Sequence, residues 1–372
     1  ELSASIMLPN PDIAFHPFIE GGVLHRVGSH RLWVLNVTAA TLWCLLDGTR
    51  NAAGLAQAYG ELFGIDAEKA HRDIATLLDR FGRWGLLNGA PLPSVDVTDE
   101  APAQPFAVEA KPLNADLSGL PRTMLSLAGR CFSVILAEGG LAAVWQGLCR
   151  HLAGGGRADT DFVVLSGASA PGPAFRVYEN GIAVQDGLAA DGVIPFLVYA
   201  LFDRGMAALA HRLLFHAAVV ARNGRALLLP ARSGSGKSTL AAALCASGWT
   251  YLSDELAVVD PIDLKVAPFA LPIGLKDKSV APLAARIPEV RGLARHTRAD
   301  GVGVRYLAPP RAAPEGGLPV EALVFPSFRP EAVPGLVPLE PLQALEGLAQ
   351  TGSSSRPLGA RDIRAMLALA QR

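Results

Sequence analysis

The apolar positions of the first 90 residues change from a strand-like to a helix-like pattern. Apolar runs at residues 22–27 and 31–35 flank Gly28-Ser29-His30, and this combination predicts a β-hairpin. Farther along, apolar residues recur every three or four positions, as they do on one face of a helix. The first such group comprises Ala39, Leu42, Trp43 and Leu46, and Asn36 or Thr38 precedes it as an N-cap.

Two more helices are predicted before residue 90. One covers about residues 52–63 and stops at Gly64, and Asp66 is placed to cap the next. The third helix has one apolar face, formed by Ala70, Ile74, Leu77, Leu78 and Phe81. Strands followed by three short helices predict a winged-helix domain at residues 1–90.

The rest of the chain is interpreted as a linker and a larger module. Residues 91–114 are rich in Pro, Ala and acidic residues without periodicity, which is typical of a linker. Residues 115–372 are predicted to form a domain of the α+β or α/β class. Its predicted strands lie at 131–136, 161–165, 174–178, 217–220, 226–229, 248–252 and 320–325, and its helices at 192–214, 240–246 and 360–371.

A glycine-rich turn separates the predicted strand at 226–229 from the helix at 240–246. It contains Ser233, Gly234, Ser235, Gly236, Lys237, Ser238 and Thr239. Glycines let backbone N–H groups converge on phosphate oxygens, and the helix N-terminus adds a favourable dipole. In such a loop Lys237 contacts the outer phosphates and the Ser238 hydroxyl is a ligand of Mg²⁺. Although Ala231 replaces the first glycine of the usual motif, the loop predicts binding of a nucleotide.

An acidic pair, Asp254 and Glu255, ends the predicted strand at 248–252, seventeen residues after Lys237. At that place one carboxylate can bind Mg²⁺, directly or through water, and the other can accept the proton of an attacking hydroxyl. The two roles can be exchanged between the two residues.

Composition narrows the classes of partner. Only 18% of the residues are charged and the formal net charge is −1, so neither nucleic acid nor an anionic membrane is an expected partner. The four cysteines are scattered, which argues against a zinc site or a disulfide framework. No signal-peptide pattern and no membrane-spanning run is visible, so the expected location is the cytoplasm.

Three segments of the first module, at 34–43, 46–49 and 70–87, resemble the PqqD-like domains over about residues 13–90. The resemblance implies recognition of the leader of a ribosomally made precursor peptide. The leader would pair with the exposed hairpin edge and lie against the third helix. A purely structural winged helix is an open alternative. A DNA-binding winged helix is disfavoured, because the third helix mixes its cations with Asp73 and Asp79.

Four segments of the second module carry another resemblance. They are Phe215-His216-Ala217, the loop at 233–240, the strand and acidic pair at 248–255, and residues 271–276. Together they resemble the HPr kinase-related proteins, which occur fused to or beside PqqD-like domains, over about residues 125–330. The resemblance implies the kinase core shared with phosphoenolpyruvate carboxykinases, and phosphorylation of a serine hydroxyl with ATP and Mg²⁺.

The resemblance also implies roles for single residues. Lys237 and Ser238 would bind phosphate and Mg²⁺, Asp254 would be the general base, and Glu255 its metal-side partner. His216 would lie near the reacting phosphate. Weaker candidates for neutralising the transferred phosphoryl group are Lys276, Lys278 and Arg305. Because Glu255 replaces an aspartate of the HPr kinases and no phosphorolysis segment is found, reverse activity and HPr itself as the substrate are in doubt.

These patterns predict a kinase that phosphorylates a serine or other hydroxyl of a precursor peptide or protein captured by the first module. Two alternatives remain: a nucleotide-gated peptide-binding protein without phosphotransfer, and a small-molecule kinase with a vestigial winged helix. A homo-oligomer is compatible with the resemblance, since HPr kinases are oligomeric.

Overall fold

The computed structural model describes residues 6–19, 21–89, 111–167, 174–310, 316–354 and 356–372. The chain divides into two compact units. Unit 1 comprises Glu1–Glu100, Leu336–Gln350 and Arg356–Gln371, and unit 2 comprises Ala101–Gly335, Thr351–Ser355 and Arg372. The predicted boundaries, 1–90, 91–114 and 115–372, differ from this division because they assign the C-terminal residues to the second module. Most of the predicted linker, residues 91–110, lies outside the described residues.

Unit 1 opens with a three-stranded antiparallel sheet and three helices. The strands, in spatial order, are β1 (Ile13–Phe18), β2 (Gly21–Arg26) and β3 (Leu32–Asn36). The helices are α1 (Val37–Leu45), α2 (Ala52–Phe63) and α3 (Ala67–Arg83). The hairpin and the three helices confirm the sequence prediction, whereas β1 was not predicted.

Local sequence explains where these helices begin and end. The Asn36 side chain accepts a hydrogen bond from the Ala39 N–H at 3.0 Å, and Asp66 accepts one from the Lys69 N–H at 2.8 Å. Helix α2 ends at Gly64, whose φ of 63° lies in the left-handed region that favours glycine. The buried side chains of the helices then meet in one core with the sheet.

Unit 2 begins with a five-stranded sheet and two helices. The strands are β4 (Arg122–Leu127), β5 (Arg130–Leu136), β6 (Thr160–Gly167), β7 (Ala174–Glu179) and β8 (Ile182–Ala189), in that spatial order. Helix α4 (Gly139–Cys149) connects β5 to β6, which pair in parallel, and α5 (Ala190–Ala207) follows β8. The predicted helix at 192–214 was wrong at its C-terminal end, because Leu213 and Leu214 are buried strand residues.

The remaining elements of unit 2 form two further sheets. In chain order they are β9 (Leu213–Arg222), β10 (Arg225–Pro230), α6 (Lys237–Ala246), β11 (Thr250–Ser253), β12 (Leu256–Val259), β13 (Lys265–Ala267), β14 (Ile273–Lys276), α7 (Asp277–Leu283), β15 (His296–Thr297), β16 (Gly303–Leu307) and β17 (Leu318–Leu323). The larger sheet runs β10-β17-β13-β12-β9-β11, and β9 also pairs with β10, so the pairings close a ring. The smaller sheet runs β14-β16-β15.

Two C-terminal helices, α8 (Pro341–Thr351) and α9 (Ala360–Ala370), follow. Helix α9 confirms the predicted final helix and packs on β1 within unit 1. Its buried residues include Ile363, Met366 and Leu369. No helix among the described residues is long and apolar enough to cross a membrane.

Candidate functional site

The glycine-rich loop lies between the end of β10 at Pro230 and the start of α6 at Lys237. Gly234 and Gly236 have φ values of 89° and 94°, which a residue with a Cβ adopts only with strain. The second of these glycines is the N-cap of α6. The predicted order of strand, glycine turn and helix is therefore present, with the N-terminus of α6 at the end of the loop.

The Lys237 side chain folds back over this loop and is 5% exposed. Its Nζ donates to Ala231 O at 2.6 Å and Arg232 O at 3.1 Å, and lies 2.9 Å from His216 Nε2. An ammonium group has only donors, so Nε2 is the acceptor and Nδ1 carries the imidazole proton. Burial lowers the pKa of both side chains, and the Lys237 charge lowers that of His216 further. The histidine is therefore neutral in this arrangement.

Asp254 and Glu255 are the two residues between β11 and β12, and both of these strands pair with β9. Asp254 is 5% exposed. Its Oδ1 accepts a hydrogen bond from the Tyr251 hydroxyl at 2.8 Å, and its Oδ2 accepts one from the Gly274 N–H at 3.1 Å. The Ser238 hydroxyl also hydrogen-bonds to this carboxylate. Burial, with a smaller contribution from the Glu255 charge, raises the pKa of Asp254 to about 6.

Glu255 occupies a more open position than its neighbour, since 53% of its side chain is exposed. Its Oε1 lies 3.4 Å from His216 Nδ1, and its main-chain oxygen lies 3.1 Å from the same nitrogen. Although the side chain is half exposed, partial loss of hydration to the surrounding protein raises the pKa of Glu255, and the charge of Lys237 opposes that shift. Thus His216 connects the loop lysine to the acidic pair, and the two carboxylates differ in accessibility.

The oxygen atoms beside the loop suit a Mg²⁺–nucleotide complex. Mg²⁺ prefers oxygen ligands and is commonly bound by one or two carboxylates together with substrate phosphates and water. Ser238 offers a hydroxyl beside the Asp254 carboxylate, and Glu255 follows in the chain. Within the described ranges, no group of three or more His, Cys, Asp or Glu residues could hold a metal by itself. A metal at this place would depend on oxygens from the nucleotide.

The three side chains predicted to neutralise the transferred phosphoryl group have different environments. Lys276 Nζ donates to Ser233 Oγ at 2.9 Å, which brings it to the loop. Arg305 instead donates to Asp277 at 2.5 Å. Lys278 lies in the first turn of α7. Of the predicted phosphate-binding side chains, Thr239 donates to Ser279 Oγ at 2.7 Å.

Sequence reasoning missed three residues around the acidic pair. Tyr251 and Gly274 hold the Asp254 carboxylate, and the charge of Arg298 lowers the pKa of Glu255 against the larger effect of burial. The tyrosine has a polar hydroxyl in a buried strand three residues before Asp254, which is a recognisable signal. Gly274 lies in the segment 271–276 that carries the second resemblance, but no role was assigned to it there, and Arg298 leaves no local pattern.

Unit 1 offers a second candidate site, the edge of β3. Among the described residues, β3 pairs with β2 alone. The Arg26 N–H donates to Arg31 O at 3.2 Å at the end of this hairpin, and Val34 is paired with Val23. Because hydrogen-bonded and non-hydrogen-bonded pairs alternate in an antiparallel ladder, the Val34 N–H and C=O face away from β2. They are available to another extended chain.

Comparison with known proteins bears on this part of unit 1. The family model described as Coenzyme PQQ synthesis protein D (PqqD) matches residues 21–87. No curated protein and no solved structure matches the chain. The matched residues run from β2 through α3, the elements that form the hairpin and the three-helix core. Residues 21–87 are therefore a PqqD-like domain.

Proposed function

We propose that the chain is an ATP- and Mg²⁺-dependent kinase that phosphorylates a serine or other hydroxyl of a precursor peptide or protein held by the PqqD-like domain. One observation carries the kinase part of the proposal. The loop lysine lies 2.9 Å from His216 Nε2, and His216 Nδ1 lies 3.4 Å from a Glu255 carboxylate oxygen, beside the buried Asp254. This arrangement joins a phosphate-binding loop to an acid–base group, whereas simple nucleotide binding requires only the loop.

In the proposed reaction, the loop N–H groups and Lys237 would bind the ATP phosphates. Bound Mg²⁺ would neutralise phosphate charge, with Ser238 and one of the two carboxylates as protein ligands. The acceptor oxygen forms a bond to the γ-phosphorus while the bond from that phosphorus to the ADP oxygen breaks. The acceptor proton passes to a carboxylate. Asp254 suits this role because its pKa, raised to about 6, lies close to neutral pH.

Binding of ATP would require Lys237 to exchange its present partners. Its Nζ donates to two loop carbonyl oxygens, and both bonds can be replaced by bonds to phosphate oxygens. His216 would then lose its donor on Nε2 while keeping the contact of Nδ1 with Glu255. We therefore assign His216 to holding Lys237 over the loop before ATP binds, and to positioning Glu255 once ATP is bound.

The PqqD-like domain supports a peptide as the acceptor, because domains of this family bind precursor peptides. An extended leader can add to the β3 edge through the Val34 N–H and C=O, which face away from β2, and main-chain hydrogen bonds then supply affinity. A tethered acceptor reaches an effective concentration of about millimolar, so the kinase site needs little affinity of its own for the acceptor sequence.

The test is mass spectrometry of a candidate precursor peptide incubated with the protein, ATP and Mg²⁺. We expect a mass increase of one phosphate that depends on the leader. A matched peptide without its leader, and the Lys237→Ala variant, are the controls. Transfer that ignores the leader would contradict peptide capture by unit 1. Binding of ATP without transfer to any hydroxyl would contradict the kinase and favour the nucleotide-gated delivery protein.

A further inference from the structure

The segment that follows β17 runs beside the glycine-rich loop. Strands β17 and β10 are parallel, so their C-terminal ends lie at the same edge of the sheet. The Val324 N–H continues this pairing, because it donates to Leu228 O at 2.9 Å. Four residues later the Phe328 N–H donates to Ser235 O at 3.3 Å. The chain therefore follows β10 past its end and reaches the loop itself.

Phe328 lies at this contact with 70% of its surface exposed. A Cβ built on Gly236 would lie 3.5 Å from the Phe328 Cβ, which places the aromatic residue against the N-cap of α6. Single exposed apolar residues are common on protein surfaces, so exposure alone carries no argument. The position beside the phosphate-binding backbone is what distinguishes this phenylalanine.

A nucleotide has two chemically different parts, the phosphates and the base, and a binding site needs different groups for each. The loop N–H groups, Lys237 and the carboxylates with a metal serve the phosphates. A purine base is a flat aromatic group that needs an apolar surface, and stacking on an aromatic side chain provides one. An exposed ring on a segment that is hydrogen-bonded to the loop is suited to that task.

We propose that Phe328 is the platform on which the purine base of ATP stacks. The inference rests on the proposed function, because it assigns the base-binding side of the same nucleotide site. The backbone bond from Phe328 to Ser235 ties the platform to the loop, so that phosphates and base are bound by one connected segment of unit 2.

The test compares ATP with inorganic tripolyphosphate, which has the same chain of three phosphates but no base. Binding of each, with Mg²⁺, is measured by titration calorimetry for the wild type, Phe328→Ala and Phe328→Tyr. Base–aromatic stacking predicts that Phe328→Ala weakens ATP binding about 5- to 150-fold. We expect tripolyphosphate binding to be unchanged, and Phe328→Tyr to keep near-normal ATP affinity because it keeps the ring.

Each other outcome overturns the proposal in a distinguishable way. Equal weakening of ATP and tripolyphosphate would mean that the Phe328 side chain acts on the loop and not on the base. Unchanged ATP affinity in Phe328→Ala would mean that the base binds elsewhere, and the proposed kinase would still stand. A wild-type chain that binds neither compound would contradict the proposed function together with the platform.

Discussion

Ionisation of Asp254 should lower the stability of unit 2 as pH rises from acid to neutral, and Asp254→Asn should remove this contribution. The carboxylate is 5% exposed and stands next to the charge of Glu255. Ionisation in such a place is unfavourable, so the folded chain holds the Asp254 proton to a higher pH than the unfolded chain does. A neutral amide at the same position does not titrate.

The magnitude follows from the two pKa values. The pKa of Asp254 is 3.8 without perturbation and about 6 in the folded chain. A difference of roughly 2 pH units corresponds to about 3 kcal/mol. Between these values the folded state binds more protons than the unfolded state, so the free energy of unfolding falls as pH rises. The loss begins near pH 3.8 and is complete just above pH 6, and stability then stays level with respect to this group.

Hydrogen exchange of the buried β9 amides reports opening of unit 2, and it is measured for the wild type and Asp254→Asn at several pH values. The asparagine amide nitrogen cannot accept the hydrogen bond that the Gly274 N–H donates to Asp254 Oδ2. The free energy of unfolding of the variant therefore differs from that of the wild type by a constant amount that does not depend on pH. In addition, we expect the difference between the two proteins to change by about 3 kcal/mol in favour of the variant between pH 3 and pH 7. Glu289→Gln, at an exposed position of the same unit, should show no such change. A pH-independent difference for Asp254→Asn would refute the assignment of a buried, ionisable carboxylate.

Three further predictions concern activity and peptide binding. The kcat/KM for phosphate transfer should rise through about pH 6 and then level off, because kcat/KM reports the free enzyme, in which Asp254 must be ionised to act as the base. Glu255→Gln should move this midpoint to lower pH. A Glu255→Gln variant that stays inactive at saturating Mg²⁺ would instead assign the base to Glu255. Lys237→Ala should lower the rate of transfer about 10²- to 10³-fold, measured with radiolabelled ATP, since it removes a donor to the phosphates. Val34→Pro should abolish leader binding measured by fluorescence anisotropy, while Val34→Thr, which keeps the N–H, should bind normally.

Local sequence was sufficient for features whose cause is local. Helix α2 was predicted with the bounds that the structure has, because Gly64 follows it in the left-handed conformation. Asp66 was identified as an N-cap because its side chain needs only the N–H three residues ahead. The glycine turn between β10 and α6 was likewise predictable from sequence, since positive φ values such as those at positions 234 and 236 favour glycine. Each of these inferences depends on a few consecutive residues.

Features that depend on distant residues were not predictable in this way. Strand β1 was missed because its pattern is only partly buried, and its pairing with β2 is what makes it a strand. The end of the predicted helix at 192–214 was wrong because residues 213 and 214 pair with β12, forty or more residues later. Assignment of α9 to unit 1 rests on its packing against β1, at the other end of the chain.

The charges of the candidate site explain why a metal and a nucleotide would have to arrive together. Lys237 and Lys276 beside the loop balance Asp254 and Glu255 when all four are ionised, and His216 is neutral. ATP adds several negative charges, so without a divalent cation its phosphates would still lie next to two carboxylates. Burial already disfavours the ionised form of Asp254, and added phosphate charge would disfavour it further. A cation reverses this effect, because it favours the ionised carboxylate that a general base requires. Mg²⁺ should therefore release a proton from the site when it binds with the nucleotide, and Asp254→Asn should reduce that release.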